Sequence, residues 1–286
     1  MDPIVDITVR SRIGMTFDSP PYTKRDLSEI STQLIRVPTQ EVFIGQMVKA
    51  MGFFFGTGSD TFRELSPTQV QSDNHPFKGF VLTGPPGSGK TEAVIEAGRR
   101  VYMELANDGI EVRLLHISSA DISRGIVGQM EQRLRSVFNE ARNEISTRKR
   151  TILLFDDIDT LLMSRGDRRS KEWTVSLAGT FFHEVDRLRT SETMICATTN
   201  LTEMLDDAVK SRLSVKEAPP PNRDEMVEVA KSALPMRGPK GLSQNDLLAI
   251  TSRVIDKHLA EGEPPSFRLA RQSAIEVLID EVVGWE

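Results

Sequence analysis

Short apolar runs alternate with longer segments of helical spacing over most of the chain. Four runs are predicted to be strands, at 80–82, 112–117, 151–155 and 194–198. The run at 151–155 is continuously apolar, which is typical of a parallel sheet buried on both faces. Segments in which apolar residues have helical spacing precede or follow these runs. They are 27–55, with a break at Pro38, then 91–102, 128–145, and a segment from beyond 171 to about 188. This alternation predicts a doubly wound parallel α/β sheet.

The pattern changes at the triple proline 219–221, which predicts a stiff boundary. Beyond it we find helical spacing alone, in the segments 223–234, 243–258 and 267–283. Residues before Pro20-Pro21 alternate only weakly between apolar and polar positions. We therefore predict three units: an N-terminal arm (1–26), a large αβα domain (27–218) and a small helical lid domain (222–286).

The most specific motif lies between the first predicted strand and the helix that follows it. It reads Gly84-Pro85-Pro86-Gly87-Ser88-Gly89-Lys90-Thr91, with Glu92 next in the helix. The glycines let the backbone wrap a polyphosphate, so that N–H groups and the helix N-terminus face the anion. We expect Lys90 to reach the β- and γ-phosphates and the Thr91 hydroxyl to bind Mg²⁺. An ordinary turn before a helix does not explain Lys-Thr here, so this is a predicted nucleoside triphosphate site.

Carboxylates follow the apolar run at 151–155, at the edge where α/β sheets bind ligands. Asp156 is suited to hold Mg²⁺ through its water shell, and Asp157 to polarise an attacking water as a general base. Asp159, further along, also fits the capping of the next helix. The sequence therefore predicts a metal-binding and a catalytic carboxylate next to the phosphate loop.

The run 152–159 resembles the Walker B strand of the AAA+ ATPases, and later residues extend the resemblance over about 27–286. Asn200, which ends Ala-Thr-Thr-Asn, resembles sensor 1, which implies that it orients the water beside the γ-phosphate. Arg212 ends a segment that resembles the one delivering an arginine finger to a neighbouring subunit. Arg268 resembles sensor 2 of the lid, with Arg271 as a second candidate. The resemblance implies ATP and Mg²⁺ as cofactors and a homo-oligomeric ring, expected to be a hexamer.

Within that family, the chain is most similar to the pachytene-checkpoint-type ATPases that remodel HORMA proteins, and more loosely to other AAA remodelling enzymes. Asp206 and Ala208 upstream of Arg212 support this similarity. Two positions depart from the pattern. Asp157 stands where the family usually has Glu, and because small misplacements of a catalytic group are costly, we expect slow hydrolysis. Ile126 stands at the aromatic position of the central pore loop, where it offers a threaded chain less contact area.

These features favour Mg²⁺-dependent ATP hydrolysis that remodels or threads a protein client, which the sequence does not identify. Basic clusters at 148–150 and 165–171 keep a nucleic-acid-handling AAA+ ATPase, clamp-loader-like or initiator-like, as the less favoured alternative. Because Asp157 stands where the family usually has Glu, a nucleotide-operated switch that hydrolyses ATP rarely is a further alternative. No folded adaptor domain is recognised before residue 27, so client selection is expected to use the arm, a partner protein or the pore.

Composition reduces the number of functional classes to which the protein could belong. Apolar residues make up 38% of the chain, enough for a packed core, while 36 basic and 41 acidic side chains do not indicate a duplex-coating protein. The single cysteine, Cys196, is expected to be an inert core residue of a protein in a reducing compartment. Neither a signal peptide nor a membrane span is predicted, and the histidines lack zinc-site spacing. We therefore expect a soluble, cytoplasmic protein without membrane partners or structural zinc.

Overall fold

The computed structural model describes residues 20–29, 37–56, 76–123, 128–143, 148–162, 172–205 and 207–283. The predicted pore-loop residue Ile126, the basic cluster at 165–171 and Asp206 lie outside these ranges.

The strands in these ranges form one six-stranded sheet. They are β1 (Thr23–Arg25), β2 (Gly79–Thr83), β3 (Glu111–Ser118), β4 (Lys149–Asp156), β5 (Thr193–Thr199) and β6 (Leu213–Glu217), in the spatial order β1-β3-β4-β5-β2-β6. Strands β2 to β6 are parallel, whereas β1 joins β3 antiparallel at the edge, with Thr23 opposite His116. The doubly wound parallel sheet is confirmed. The edge strands β1 and β6 were not predicted.

Helices cover both faces of this sheet. They are α1 (Pro38–Phe55), α2 (Lys90–Ala106), α3 (Ser119–Ser123), α4 (Gln129–Asn143), α5 (Glu172–Asp186), α6 (Asp207–Lys210), α7 (Arg223–Ala233), α8 (Gln244–Ala260) and α9 (Phe267–Val283). Helix α1 begins at Pro38, the predicted break, because a proline is tolerated in the first turn. None of the helices in the described ranges is long and apolar enough to cross a membrane.

Successive residues of each central strand point to opposite faces, which divides the core into two clusters. Leu153 and Phe155 of β4 pack with α4 and α5 on one face. Leu154 of β4 and Cys196 of β5 pack with α1 and α2 on the other. Cys196 is fully buried, and burial raises the pKa of its thiol, as expected for an inert core cysteine.

The C-terminal helices α7, α8 and α9 enclose a third apolar cluster that includes Val37, the residue before α1. Capping boxes fix the starts of α7 and α8, with Asn222 and Glu225 forming the first of them. Glu225 also accepts hydrogen bonds from the backbone N–H of Thr39 at 3.0 Å and from its hydroxyl at 2.8 Å. The segment that enters α1 is therefore attached to the C-terminal helices.

Candidate active site

A cavity of about 600 Å³ lies among the loop before α2, the carboxyl ends of β4 and β5, and helix α9. This volume is in the ordinary range for a small-molecule site. The predicted residues that line it are Pro86, Gly87, Gly89, Lys90, Thr91, Glu92, Asp156, Asp157, Asn200, Arg268 and Arg271. Gly84, Pro85 and Ser88 belong to the same loop. Their backbone carbonyls accept hydrogen bonds, from Lys90 at Gly84 and Pro85 and from Gln40 at Ser88. Arg212 is not among the lining residues.

The loop before α2 depends on glycines in conformations that other residues avoid. Gly84 has φ +144°, and a Cβ built on it would lie 2.2 Å from the carbonyl oxygen of Ala218. Gly89 has φ +81°, and its Cβ would lie 2.2 Å from Nε2 of Gln40. These close approaches bring β6 and α1 against the loop and give it a fixed shape.

We expect Gly84→Ala to lower the free energy of unfolding by about 2 kcal/mol or more, because it adds backbone strain and a clash with Ala218. Gly179→Ala is the matched control, because Gly179 lies in α5 and, outside its chain neighbours and nearby helix backbone, no atom of the described residues lies within 4 Å of its built Cβ. That control should stabilise the protein by up to about 1 kcal/mol through helix propensity. Urea unfolding measures both, and equal midpoints for Gly84→Ala and the wild type would contradict the steric argument.

Lys90 begins α2, and its ammonium group lies at the centre of the loop. Nζ donates to the carbonyls of Gly84 and Pro85, both at 2.9 Å, and to Oδ1 of Asn200 at 2.8 Å. Burial lowers the pKa of Lys90, and the charges of Asp157 and Asp156 oppose that shift. A cation is thus held where the loop backbone would surround a phosphate.

Asp156 ends β4 and is held by three side chains. Its Oδ1 accepts from the hydroxyls of Thr91 at 2.7 Å and Thr198 at 2.5 Å, and its Oδ2 lies 3.5 Å from Nε2 of His116. Burial favours the neutral acid, but hydrogen bonds from His116, Thr198 and Thr91 outweigh it and lower the pKa of Asp156 to about 2. The side chain is therefore a carboxylate at neutral pH.

The oxygens of Thr91 and Asp156 fit Mg²⁺, which prefers oxygen ligands and keeps several waters when it binds. Both residues line the cavity, and they are in direct contact. Within the described ranges, no group of three or more His, Cys, Asp or Glu side chains forms a candidate metal centre. In nucleotide enzymes, a magnesium ion held by one or two side chains takes its other ligands from phosphate oxygens and water.

Asp157 is presented to the cavity by an unusual backbone conformation, with φ 51° and ψ 54°. Its N–H donates to the Thr198 hydroxyl at 3.1 Å, and its Oδ1 accepts from Nδ2 of Asn200 at 3.3 Å. Burial and the negative charges of Asp156 and Asp159 raise the pKa of Asp157. Adjacent carboxylates thus have pKa values shifted in opposite directions, as in pairs of titratable groups that have different roles in a site.

The sequence analysis missed three residues that support the site. Thr198 of β5 bonds both acidic residues, His116 of β3 reaches Asp156, and Gln40 of α1 donates to the Ser88 carbonyl at 2.8 Å. Thr198 lies within the Ala-Thr-Thr-Asn motif, but its role, like those of His116 and Gln40, depends on contacts between segments that are distant in the sequence. Asp159, considered above as a helix cap, instead accepts from the Thr199 hydroxyl at 2.8 Å.

Arg212 lies outside the cavity and is held by its own subunit. Its Nε and Nη2 donate to the two oxygens of Asp186 at 2.6 and 2.8 Å, and Nη1 donates to the Ala208 carbonyl at 3.0 Å. The guanidinium carbon lies 5.1 Å from the centre of the Phe182 ring. These contacts hold the guanidinium on its own chain, at a position that does not line the cavity.

The chain is similar to several known proteins. Residues 80–220 match the model of the ATPase family associated with various cellular activities (AAA). The proteasome-associated ATPase of Frankia alni is 29% identical over 210 residues, which cover 67% of this chain and 35% of that protein. An AAA ATPase forming ring-shaped complexes, from Corynebacterium kroppenstedtii, is 29% identical over 218 residues, covering 73% and 36%. The chain thus spans about a third of the length of these relatives.

A solved structure gives an independent comparison of the fold. A chain of the E. coli MS115-1 HORMA:CdnC:Trip13 complex aligns with a TM-score of 0.61 and 21% identity, covering 90% of this chain and 93% of that one. The phosphate-loop motif and the acidic motif led us to infer a resemblance to AAA+ ATPases. The family model confirms that resemblance, and the solved structure confirms the fold. Residues 80–220, about half of this chain, are therefore identified as an ATPase domain of the AAA family.

Proposed function

We propose that the chain binds and hydrolyses ATP with Mg²⁺ in a ring of identical subunits, and that hydrolysis remodels or threads a protein client. The observation that carries the proposal is the convergence of Lys90, Thr91, Asp156, Asp157 and Asn200 on one cavity. Arg212, in contrast, is fixed outside that cavity on its own subunit. In this proposal, a neighbouring subunit supplies a further cation that stabilises the transition state of phosphoryl transfer.

Each residue has a role that follows from its position. The loop N–H groups and Lys90 bind the β- and γ-phosphates, and Thr91 and Asp156 hold Mg²⁺, which would neutralise charge on the transferred group. Asp157 is placed to accept a proton from the attacking water, while Asn200 bonds both Asp157 and Lys90. Arg268 and Arg271 bring positive charge from α9.

The proposed ring gives Arg212 a function. Since Arg212 does not line the cavity of its own chain, we propose that it completes the site of a neighbouring subunit, which would make hydrolysis a property of the interface. The relatives described as forming ring-shaped complexes support this arrangement. Those described as proteasome-associated, and the structural neighbour's complex with a HORMA protein, support a protein client. We propose a hexamer acting in the cytoplasm, with slow hydrolysis because Asp157 replaces the usual Glu.

The nucleic-acid alternative gains little support from the cluster at 148–150. Arg150 donates from Nε to the carbonyl of Phe55 at 3.0 Å, and burial lowers the pKa of its guanidinium. Lys149 lies 3.4 Å from Glu111. These two side chains are engaged within the protein, which favours a structural role over a phosphate-binding one.

The proposal is tested by the ATPase rate per subunit as a function of protein concentration with Mg²⁺, alongside the mass in solution by light scattering. We expect the rate to rise with concentration and to level off where the mass reaches that of a ring. A negligible rate at every concentration, together with tight ATP binding, would indicate the switch instead. Strong stimulation by DNA that disappears with added salt would favour the nucleic-acid alternative.

A further inference from the structure

His116 contacts Asp156, and this contact has no role in the proposed function described above. Both threonine hydroxyls at Asp156 donate to Oδ1, so only His116 faces Oδ2 from within the described part of the site. Strand pairing explains this contact, because Ser118 is the register partner of Asp156 in the parallel pair of β3 and β4. His116 lies two residues before Ser118 and therefore points to the same face of the sheet.

A contact with Arg25 indicates which nitrogen of His116 carries the proton. Its Nη2 lies 3.4 Å from Nδ1 of His116, across the antiparallel pair of β1 and β3. A guanidinium can only donate, so Nδ1 has to accept this hydrogen bond. In a neutral imidazole the proton is then on Nε2, the nitrogen that faces Asp156. The two contacts therefore agree on a single tautomer.

We propose that His116 is a positioning residue for the magnesium-binding carboxylate, with Arg25 as the residue that sets its tautomer. The Nε2–H group holds Oδ2 and limits rotation of the Asp156 carboxylate, so that its free lone pairs keep one direction toward the cation's water shell. Histidine and carboxylate partners commonly orient ligands in this way from the second layer of a metal site. The inference rests on the proposed function, because it assumes that Asp156 binds Mg²⁺ with a nucleotide.

The test measures ADP binding by calorimetry, first in EDTA and then at increasing Mg²⁺, so it does not depend on turnover. We expect His116→Leu to need about tenfold more Mg²⁺ for half-maximal enhancement of ADP affinity, while its affinity in EDTA stays at the wild-type value. His116→Gln keeps an N–H donor at about the same reach and should recover most of the loss. Thermal melting of each variant establishes that it is folded.

A second pair of variants tests the tautomer without altering His116. Arg25→Leu should raise the Mg²⁺ requirement in the same direction by a smaller factor, because Nδ1 loses its donor. Lys24→Leu is the matched control from the same strand, since Lys24 lies 2.8 Å from Glu140 and belongs to a different contact. It should leave the Mg²⁺ requirement unchanged. This pair also provides the test if His116→Leu does not fold.

The outcomes separate the two proposals. An equal Mg²⁺ requirement in the wild type and His116→Leu, or an equal loss in the leucine and glutamine variants, overturns the positioning role. Equal effects of Arg25→Leu and Lys24→Leu overturn the tautomer argument. If the wild type does not bind ADP either in EDTA or with Mg²⁺, the proposed function itself fails.

Discussion

Arg212→Ala is expected to lower ATP hydrolysis by about 10³-fold or more while leaving the ATP affinity of each subunit close to the wild-type value. The magnitude is that of arginine fingers in known nucleotide hydrolases. Binding should persist because Arg212 does not line the cavity of its own chain. The measurements are the ATPase rate at a concentration where the ring has formed, and ATP affinity by calorimetry. A loss of binding that accounts for the lost rate would contradict the assignment.

Arg223→Ala is the matched control for this change. Arg223 makes the same kind of paired contact, with Nε and Nη2 donating to the two oxygens of Asp256 at 2.6 and 2.8 Å. It lies at the start of α7 and does not line the cavity, so its removal should leave the ATPase rate near the wild-type value. Loss of activity in both variants would indicate a general effect of breaking a surface ion pair.

Mixing subunits tests whether the site is shared. Arg212→Ala subunits keep a complete cavity, and Asp157→Asn subunits keep the finger. Mixed rings should therefore regain sites in which one subunit's cavity meets another subunit's Arg212. We expect the mixture to hydrolyse ATP faster than either variant alone. If it does not, although mixed rings are shown to form, Arg212 does not act across the interface.

Asp157→Asn is the second large effect, with an expected loss of about 10²-fold or more in hydrolysis and retained ATP binding. An amide cannot accept the proton of the attacking water, and general bases contribute 10²–10⁴-fold in rate. Asp159→Asn is the neighbouring control, because Asp159 bonds Thr199 and does not line the cavity. It should retain most of the activity. Comparable losses in the two variants would argue against a specific base at Asp157.

The pH dependence of the rate gives Asp157 a further test. Burial, followed by the charges of Asp156 and Asp159, raises the pKa of Asp157 above its usual value. The base acts when ionised, so the rate should fall as the pH drops through this raised pKa, at a higher pH than for an ordinary Asp. Asp159→Asn removes one of the negative neighbours and should move that fall to lower pH. A fall that stays in place would show that another group is responsible.

The sequence predicts the central strands of the sheet better than its edge strands. Strands β2 and β5 are buried along their whole length, so their apolar character is visible without knowledge of their partners. The phosphate loop and the acidic residues of β4 lie in short motifs whose spacing is set by local geometry. Sequence analysis therefore predicts the doubly wound sheet and the residues that line most of the cavity.

The missed features depend on contacts between distant segments. Strand β1 has three residues, all exposed, and β6 is mostly polar, so neither has the apolar run that indicates a strand. His116 is separated from Asp156 by 40 positions, and its role is set by the register of β3 on β4. Gln40 and Asp186 likewise have long-range partners that periodicity does not reveal.

The segment that enters α1 contacts the C-terminal helices and the phosphate loop within four residues. Val37 packs into the apolar cluster of α7 to α9, Thr39 bonds Glu225, and Gln40 bonds the backbone of Ser88. A rotation of the C-terminal helices away from α1 would strain or break these contacts together. If nucleotide binding depends on the shape of the phosphate loop, a ligand that favours one orientation of these helices would change the affinity for nucleotide, and nucleotide would change the affinity for that ligand by the same factor.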